Sequence, residues 1–130
     1  MARRVTGGYR VRNPVAAGAV ITPDQILCTN AAGYIIVGGD IAGATYAGVA
    51  DEAVDNTNGL DGDLSVWMWV GADIYVDVDS PVDQSYLLRG VVYLKDSATV
   101  TTQATTTNSV VGGMLLWLDL VEFRGLLRRL

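Results

Sequence analysis

The chain has 130 residues, half of them apolar and only 18% charged, which is the composition of one globular domain and excludes a disordered segment. It contains no histidine, which excludes a catalytic triad built on an imidazole, and its one cysteine, Cys28, excludes an internal disulfide. The formal net charge of −5 disfavours nucleic acid as a partner.

The N-terminal segment is basic, whereas the rest of the chain is mostly acidic. Residues 1–12 contain no acidic residue and four arginines, Arg3, Arg4, Arg10 and Arg12. A basic segment beside an acidic body predicts docking against an acidic surface, such as a neighbouring copy of the chain. We expect residues 1–12 to extend as a basic arm from a β-domain over residues 13–130. The alternative is a loose, solvated N-terminus.

Short apolar or alternating runs, separated by Gly, Asn, Asp and Pro, predict an all-β protein. Cys28 lies inside one of these runs, and we interpret it as a small buried residue. The predicted strands cover residues 9–13, 19–22, 26–29, 34–37, 46–50, 64–70, 73–79, 91–95 and 99–102.

The strand predicted at residues 64–70 has no polar face. Its aliphatic side chains point one way, while Trp67 and Trp69 point the other way with Ser65. A strand with one solvated face would place polar residues opposite its aliphatic row. We therefore expect another sheet or another subunit to cover the two tryptophans.

The C-terminal stretch, residues 114–130, is compatible with a buried strand or with a helix broken at Gly125, and we favour the strand. Strict alternation would place Leu116 and Leu118 on one face, and Leu115 and Trp117 on the other.

The acidic, glycine-containing loop at residues 55–63 is similar in composition to a calcium loop. The EF-hand spacing fails, because its third, sixth and twelfth positions fall on Thr57, Leu60 and Val66. We interpret the Asp and Asn residues as turn formers and expect neither a metal nor a cofactor.

No set of residues supports catalysis. The carboxylate pairs Asp77 with Asp79 and Asp51 with Glu52 are the only nominees for glycoside cleavage, and a solvated acidic surface is the simpler interpretation. The paired glycines do not form a phosphate-binding loop. The longest apolar run, residues 110–118, is about half the length of a membrane span. We expect no enzyme, no membrane association and synthesis in a cytoplasm.

Two blocks, residues 48–69 and 89–115, carry a resemblance to a known family. Both are built from strands and tight turns, and the resemblance extends over residues 47–130, about two-thirds of the chain. The matching segments are Gly48-Val49-Ala50, Asp55-Asn56 with Gly62-Asp63, Val92-Tyr93-Leu94, Thr99-Val100-Thr101 and Val111-Gly112. In this order the segments resemble the capsid cement (head decoration) proteins of tailed bacteriophages.

The resemblance implies a compact β-sandwich or β-barrel on the outer surface of the virion head. It implies binding to neighbouring major capsid proteins, as a homotrimer, in order to staple them together. In such an assembly, we expect the interface contacts to come from Arg3, Arg4, Arg10, Arg12, Trp67 and Trp69. The first alternative is a carbohydrate-binding β-sandwich of a surface adhesin or tail fibre, with tryptophan faces stacking on sugars. A small glycosidase-like enzyme is the second.

Overall fold

The structure, a computed structural model, describes residues 3–129, with the backbone alone for residues 3–5. The predicted all-β class is confirmed, since the only helices in the described residues are two 3₁₀ turns, Gln84–Tyr86 and Gln103–Thr105. Neither is long enough to cross a membrane. The strands are β1 (Arg3–Thr6), β2 (Tyr9–Pro14), β3 (Val20–Ile21), β4 (Ile26–Thr29), β5 (Ile35–Val37), β6 (Thr45–Ala50), β7 (Val54–Asp55), β8 (Ser65–Val70), β9 (Asp73–Val78), β10 (Val91–Leu94), β11 (Thr99–Thr101), β12 (Val111–Asp119) and β13 (Arg124–Arg128).

The C-terminal half closes into a five-stranded barrel in the order β9-β11-β10-β12-β13 and back to β9. One edge of β9 pairs with β13, and its other edge is shared between β1 and β11. Alternate residues of β9, namely Ile74, Val76 and Val78, are buried, and so are Leu115 of β12 and Leu127 of β13. The period of two along each strand therefore fills the barrel interior with aliphatic side chains.

The N-terminal half is a five-stranded sheet in the order β2-β8-β6-β4-β5. An isolated bridge between Val15, just after β2, and Ile35 of β5 joins the two outer strands. The face inside this curved sheet holds a second apolar cluster, which includes Leu27, Val66 and Met68. Strands β3 and β7 form a separate two-stranded ribbon.

The barrel cluster also contains residues of the N-terminal sheet, and strand β4 contributes to both apolar clusters. Leu27 of β4 belongs to the cluster of the N-terminal sheet, while its neighbours Ile26 and Cys28 belong to the cluster of the barrel. The Ile26 N–H also donates to the Ser97 carbonyl at 2.7 Å, in the turn between β10 and β11. Strand β4 is therefore buried on both faces, which packs the sheet and barrel tightly together.

The expected N-terminal arm is wrong for the described residues. Residues 3–6 are β1 and pair with β9, and residues 9–14 are β2 and pair with β8 along all six positions. The reason is that Val11 alternates with Arg10 and Arg12, so the segment has an apolar face that the sheet can cover.

The C-terminal stretch is a hairpin of β12 and β13, so the preference for strand over helix is confirmed. The expected alternation is wrong, because a bulge between Leu115 and Trp117 makes Leu116 an extra residue. Leu115 consequently points into the barrel, whereas Trp117 points outward and Leu118 packs against the core.

Candidate binding surfaces

Strands β2 and β8 bring three of the predicted interface residues together on one outer face. The Arg10 guanidinium lies 4.3 Å from the centroid of the Trp67 ring, and that of Arg12 lies 6.0 Å from it. The Arg10 Nε also donates to a carboxylate oxygen of Asp51 at 2.7 Å. Contacts of this exposed kind each contribute about 0.5–1 kcal/mol. Part of the arginine charge is therefore compensated within the chain.

Trp69 is covered differently from Trp67. It lies opposite Arg10 and Val49 in the β2-β8-β6 ladder, and its ring packs against the barrel core. The expectation that another sheet covers the tryptophans is thus met for Trp69, whereas Trp67 is contacted by arginines of its own sheet.

The remaining two predicted interface residues are Arg3 and Arg4 in β1. Their backbones pair with Tyr75 and Ile74 of β9, and their side chains lie outside the described part of the chain.

A surface that the sequence did not indicate lies on the outer face of the barrel. Trp117 of β12 is in register with Leu126 of β13, and Leu126 is in register with Tyr75 of β9. We call these three residues the Trp117 strip. The Trp117 side chain is 45% exposed, and its ring meets that of Tyr75 edge to face, with centroids 6.0 Å apart and an interplanar angle of 77°.

Charged residues flank the Trp117 strip on both sides. On one side, Arg128 holds the buried carboxylate of Asp73 with two hydrogen bonds, from Nε at 3.0 Å and Nη2 at 2.9 Å. On the other side, Arg124 is in register with Asp119 and Asp77, and its guanidinium lies 5.5 Å from the Tyr75 centroid. An apolar centre with a charged border is the usual anatomy of a protein-binding surface.

The β12–β13 turn extends this surface beyond the sheet. Val121 is 89% exposed and Phe123 is 46% exposed. Phe123 also has a φ of 54°, a left-handed conformation that is rare for an aromatic residue. The turn thus presents two large apolar side chains to solvent beside the Trp117 strip.

One signal in the sequence could have located the Trp117 strip. Trp117 stands two positions before Asp119, and a charged residue in a strand indicates a solvated face. The aliphatic residues around Trp117 make this signal weak. The bulge at Leu116 weakens it further, because it changes which side chains share a face.

The acidic loop at residues 55–63 uses its carboxylates in turns. Asp55 accepts hydrogen bonds from the N–H and hydroxyl of Thr57, and these bonds hold the pKa of its carboxyl below the usual value. Asp61 accepts the N–H of Ala17 at 2.7 Å. Within residues 3–129, no cluster of three or more acidic or cysteine side chains is placed to hold a metal ion.

The carboxylate pairs considered for catalysis are held in other contacts. Asp79 accepts a hydrogen bond from Lys95 Nζ at 3.0 Å, which lowers the pKa of its carboxyl, and it also accepts the hydroxyl of Thr101. Glu52 accepts the backbone N–H of Trp67 at 2.9 Å, while Asp51 binds Arg10. These bonds connect separate segments of the fold through the carboxylates.

Comparisons with protein-family models and with curated proteins find no match to this chain. Its function is therefore inferred from its own residues and exposed surfaces.

Proposed function

We propose that this chain is a capsid cement protein, which binds the outer surface of an assembled phage head and staples neighbouring major capsid proteins. The observation that carries the proposal is the Trp117 strip, with its exposed indole, on the outer face of the barrel. Large aromatic side chains within a charged border are the residues that dominate binding energy in protein interfaces.

The resemblance in sequence supports the same proposal. Its segments include residues 48–50 of β6, 92–94 of β10 and 99–101 of β11, so they contribute to both the N-terminal sheet and the barrel. In this proposal the chain acts by binding alone, without catalysis, a cofactor or nucleic acid. It functions as a homotrimer on the outer surface of the virion, after synthesis in the host cytoplasm.

Two surfaces are available for contacts with the head and between copies. We assign the major capsid protein to the Trp117 strip, because Trp117 is the more exposed indole and has an apolar neighbour in register. The cluster of Arg10, Arg12 and Trp67 is then the candidate contact between copies, since its arginines can also reach carboxylates of a neighbour.

Binding to purified, expanded heads that lack the protein tests the proposal. Cosedimentation should give saturable binding of the wild-type chain, and Trp117→Ala should weaken that binding by at least about tenfold, as expected for a central aromatic contact. Leu60→Ala is the matched control, because Leu60 is 73% exposed and lies in the acidic loop rather than on the strip. Absence of wild-type binding would contradict the function. Loss of binding in Trp67→Ala but not in Trp117→Ala would instead move the head contact to the arginine cluster.

A carbohydrate-binding function is the second candidate, and one observation favours it. The exposed indole of Trp117 lies beside polar groups of Asp119 and Arg124, and a sugar ring can stack on an indole while its hydroxyls bind such groups. Titration with host surface glycans, monitored by tryptophan fluorescence, separates the two functions. Saturable quenching that Trp117→Ala abolishes, without binding to heads, would replace the cement function with this one.

A further inference from the structure

A pocket of about 260 Å³ opens among the strands of the N-terminal sheet. All five strands of that sheet contribute to its lining. The residues that matter here are Asn13 of β2, Met68 and Val70 of β8, Tyr46 of β6, Thr29 of β4 and Ile35 of β5. The end of a curved β-sheet or barrel is a common place for a small-molecule site.

The lining combines an apolar wall with hydrogen-bonding groups. Ile35, Met68 and Val70 provide the wall. The Asn13 side-chain amide donates only to the sulfur of Met68, at 3.5 Å, which is a weak acceptor. Tyr46 is only 4% exposed, and its hydroxyl makes no hydrogen bond to another residue in the range 3–129.

Arg129 supplies a positive charge at this pocket. It also lines an adjoining pocket of about 130 Å³ that shares Tyr46 and extends towards Gly112. Three other cations, Arg10, Lys95 and Arg128, are held in ion pairs with aspartates. Arg129 forms no ion pair with the described residues, and no carboxylate lines either pocket. Among the described residues, this combination leaves Arg129 available to an external anion at the mouth of the pocket.

We propose that this pocket binds a small organic carboxylate, with Arg129 and the Tyr46 hydroxyl holding the carboxylate group and the apolar wall contacting a short aliphatic body. The apolar wall favours an organic acid over an inorganic anion, and the volume admits only a small one. Burial raises the pKa of the Tyr46 phenol, so it remains protonated and able to donate at neutral pH. This site is separate from the Trp117 strip and does not depend on head binding.

Titration of the full chain with pentanoate tests the site, with pentanamide as the neutral analogue and phosphate as the inorganic anion. Pentanoate should bind saturably at one site and shift the methyl resonances of Met68 and Val70. Pentanamide and phosphate should bind at least about tenfold more weakly, because each lacks either the charge or the aliphatic body. Equal binding of all three, or no saturable shift with pentanoate, would overturn the proposal.

Arg129→Gln should weaken pentanoate binding by about tenfold, since it removes the charged hydrogen-bond donor. Arg129 is exposed, so this change leaves the core intact, and an unchanged melting temperature without ligand would verify that. Arg124→Gln is the matched control, because Arg124 lies on the other face of the barrel beside Tyr75. Unchanged pentanoate affinity in Arg129→Gln would rule out this residue as the anion-binding group.

Discussion

At the scale of the residue, Cys28 shows how burial sets reactivity. Its side chain is fully buried, and burial raises the pKa of the thiol to about 11, although a hydrogen bond from the Gly39 backbone opposes this increase. Only the thiolate attacks disulfide reagents, so Cys28 should react with such a reagent very slowly in the native protein. Unfolding in urea should restore the rate of a free thiol. Rapid labelling without urea would show that β4 opens readily.

Asp40 connects the two halves of the molecule and should make stability depend on pH. Its carboxylate accepts the N–H groups of Thr107 and Asn108, each at 2.7 Å, and these bonds lower its pKa. The carboxylate therefore stabilises the folded state above the unfolded pKa of about 3.9, and this contribution is lost as pH falls through the lower folded pKa.

We therefore predict that Asp40→Asn lowers the free energy of unfolding at pH 7. The difference from wild type should shrink as the pH falls below about 4, because the carboxylate is protonated first in the unfolded chain and, at its lower pKa, in the folded chain. Urea denaturation at pH 7 and at a pH below about 4 measures this difference in the free energy of unfolding. Asp24→Asn serves as the control, since its side chain makes no hydrogen bond within residues 3–129 and Asn tolerates its φ of 67°. A difference for Asp40→Asn that stays constant with pH would contradict this role.

At the scale of the element, Gly48 permits the close approach of β6 to β8. A β-carbon at this position would overlap the backbone carbonyl oxygen of Trp69, which cannot move without disturbing the sheet. Gly48→Ala should therefore lower the free energy of unfolding by roughly 1–3 kcal/mol or more, measured by urea denaturation. Gly39→Ala is the matched control, since its nearest contact would be an ordinary 3.7 Å. Equal stability of the two variants would show that the sheet adjusts at Gly48.

Several elements could be predicted from local sequence, and others could not. The strand from Asp73 to Val78 alternates cleanly, and its buried aliphatic residues, Ile74, Val76 and Val78, are those that the pattern indicates. The alternation alone does not predict the face of Trp117, because one extra residue at Leu116 reverses it, and the nearby Asp119 is the one local sign of a solvated face. The bulge therefore accounts for the main part of the candidate site that sequence patterns missed.

At the scale of the whole molecule, composition and turn residues predicted the all-β class but not the division into a sheet and a closed barrel. That division depends on partners distant in sequence, such as β1 with β9 and β2 with β8. Local patterns carry little information about such pairings. The arm prediction for the N-terminal segment fails for the same reason, since local sequence shows its arginines but not the two strands, β9 and β8, that pair with it.

Assembly is also a property of the whole molecule. We predict a homotrimer on the head, with Trp67 at or near the contact between copies, because Arg10 and Arg12 lie beside it on an outer face. Density on decorated heads should show groups of three, and native mass measurement would show whether trimers also exist in solution. Trp67→Ala should weaken the grouping while the chain remains folded. Isolated single copies on the head would contradict this prediction.

The bulge at Leu116 has a consequence for how this barrel tolerates inserted or deleted codons. In a ring of strands, a shift of one strand along its neighbour must be accommodated by every other pair, so an added residue is more easily retained as a local bulge. Such a change exchanges an inward for an outward side chain while the ring stays closed. Insertion or deletion of one codon in β12 therefore offers a short evolutionary route to a different outer surface on an unchanged scaffold.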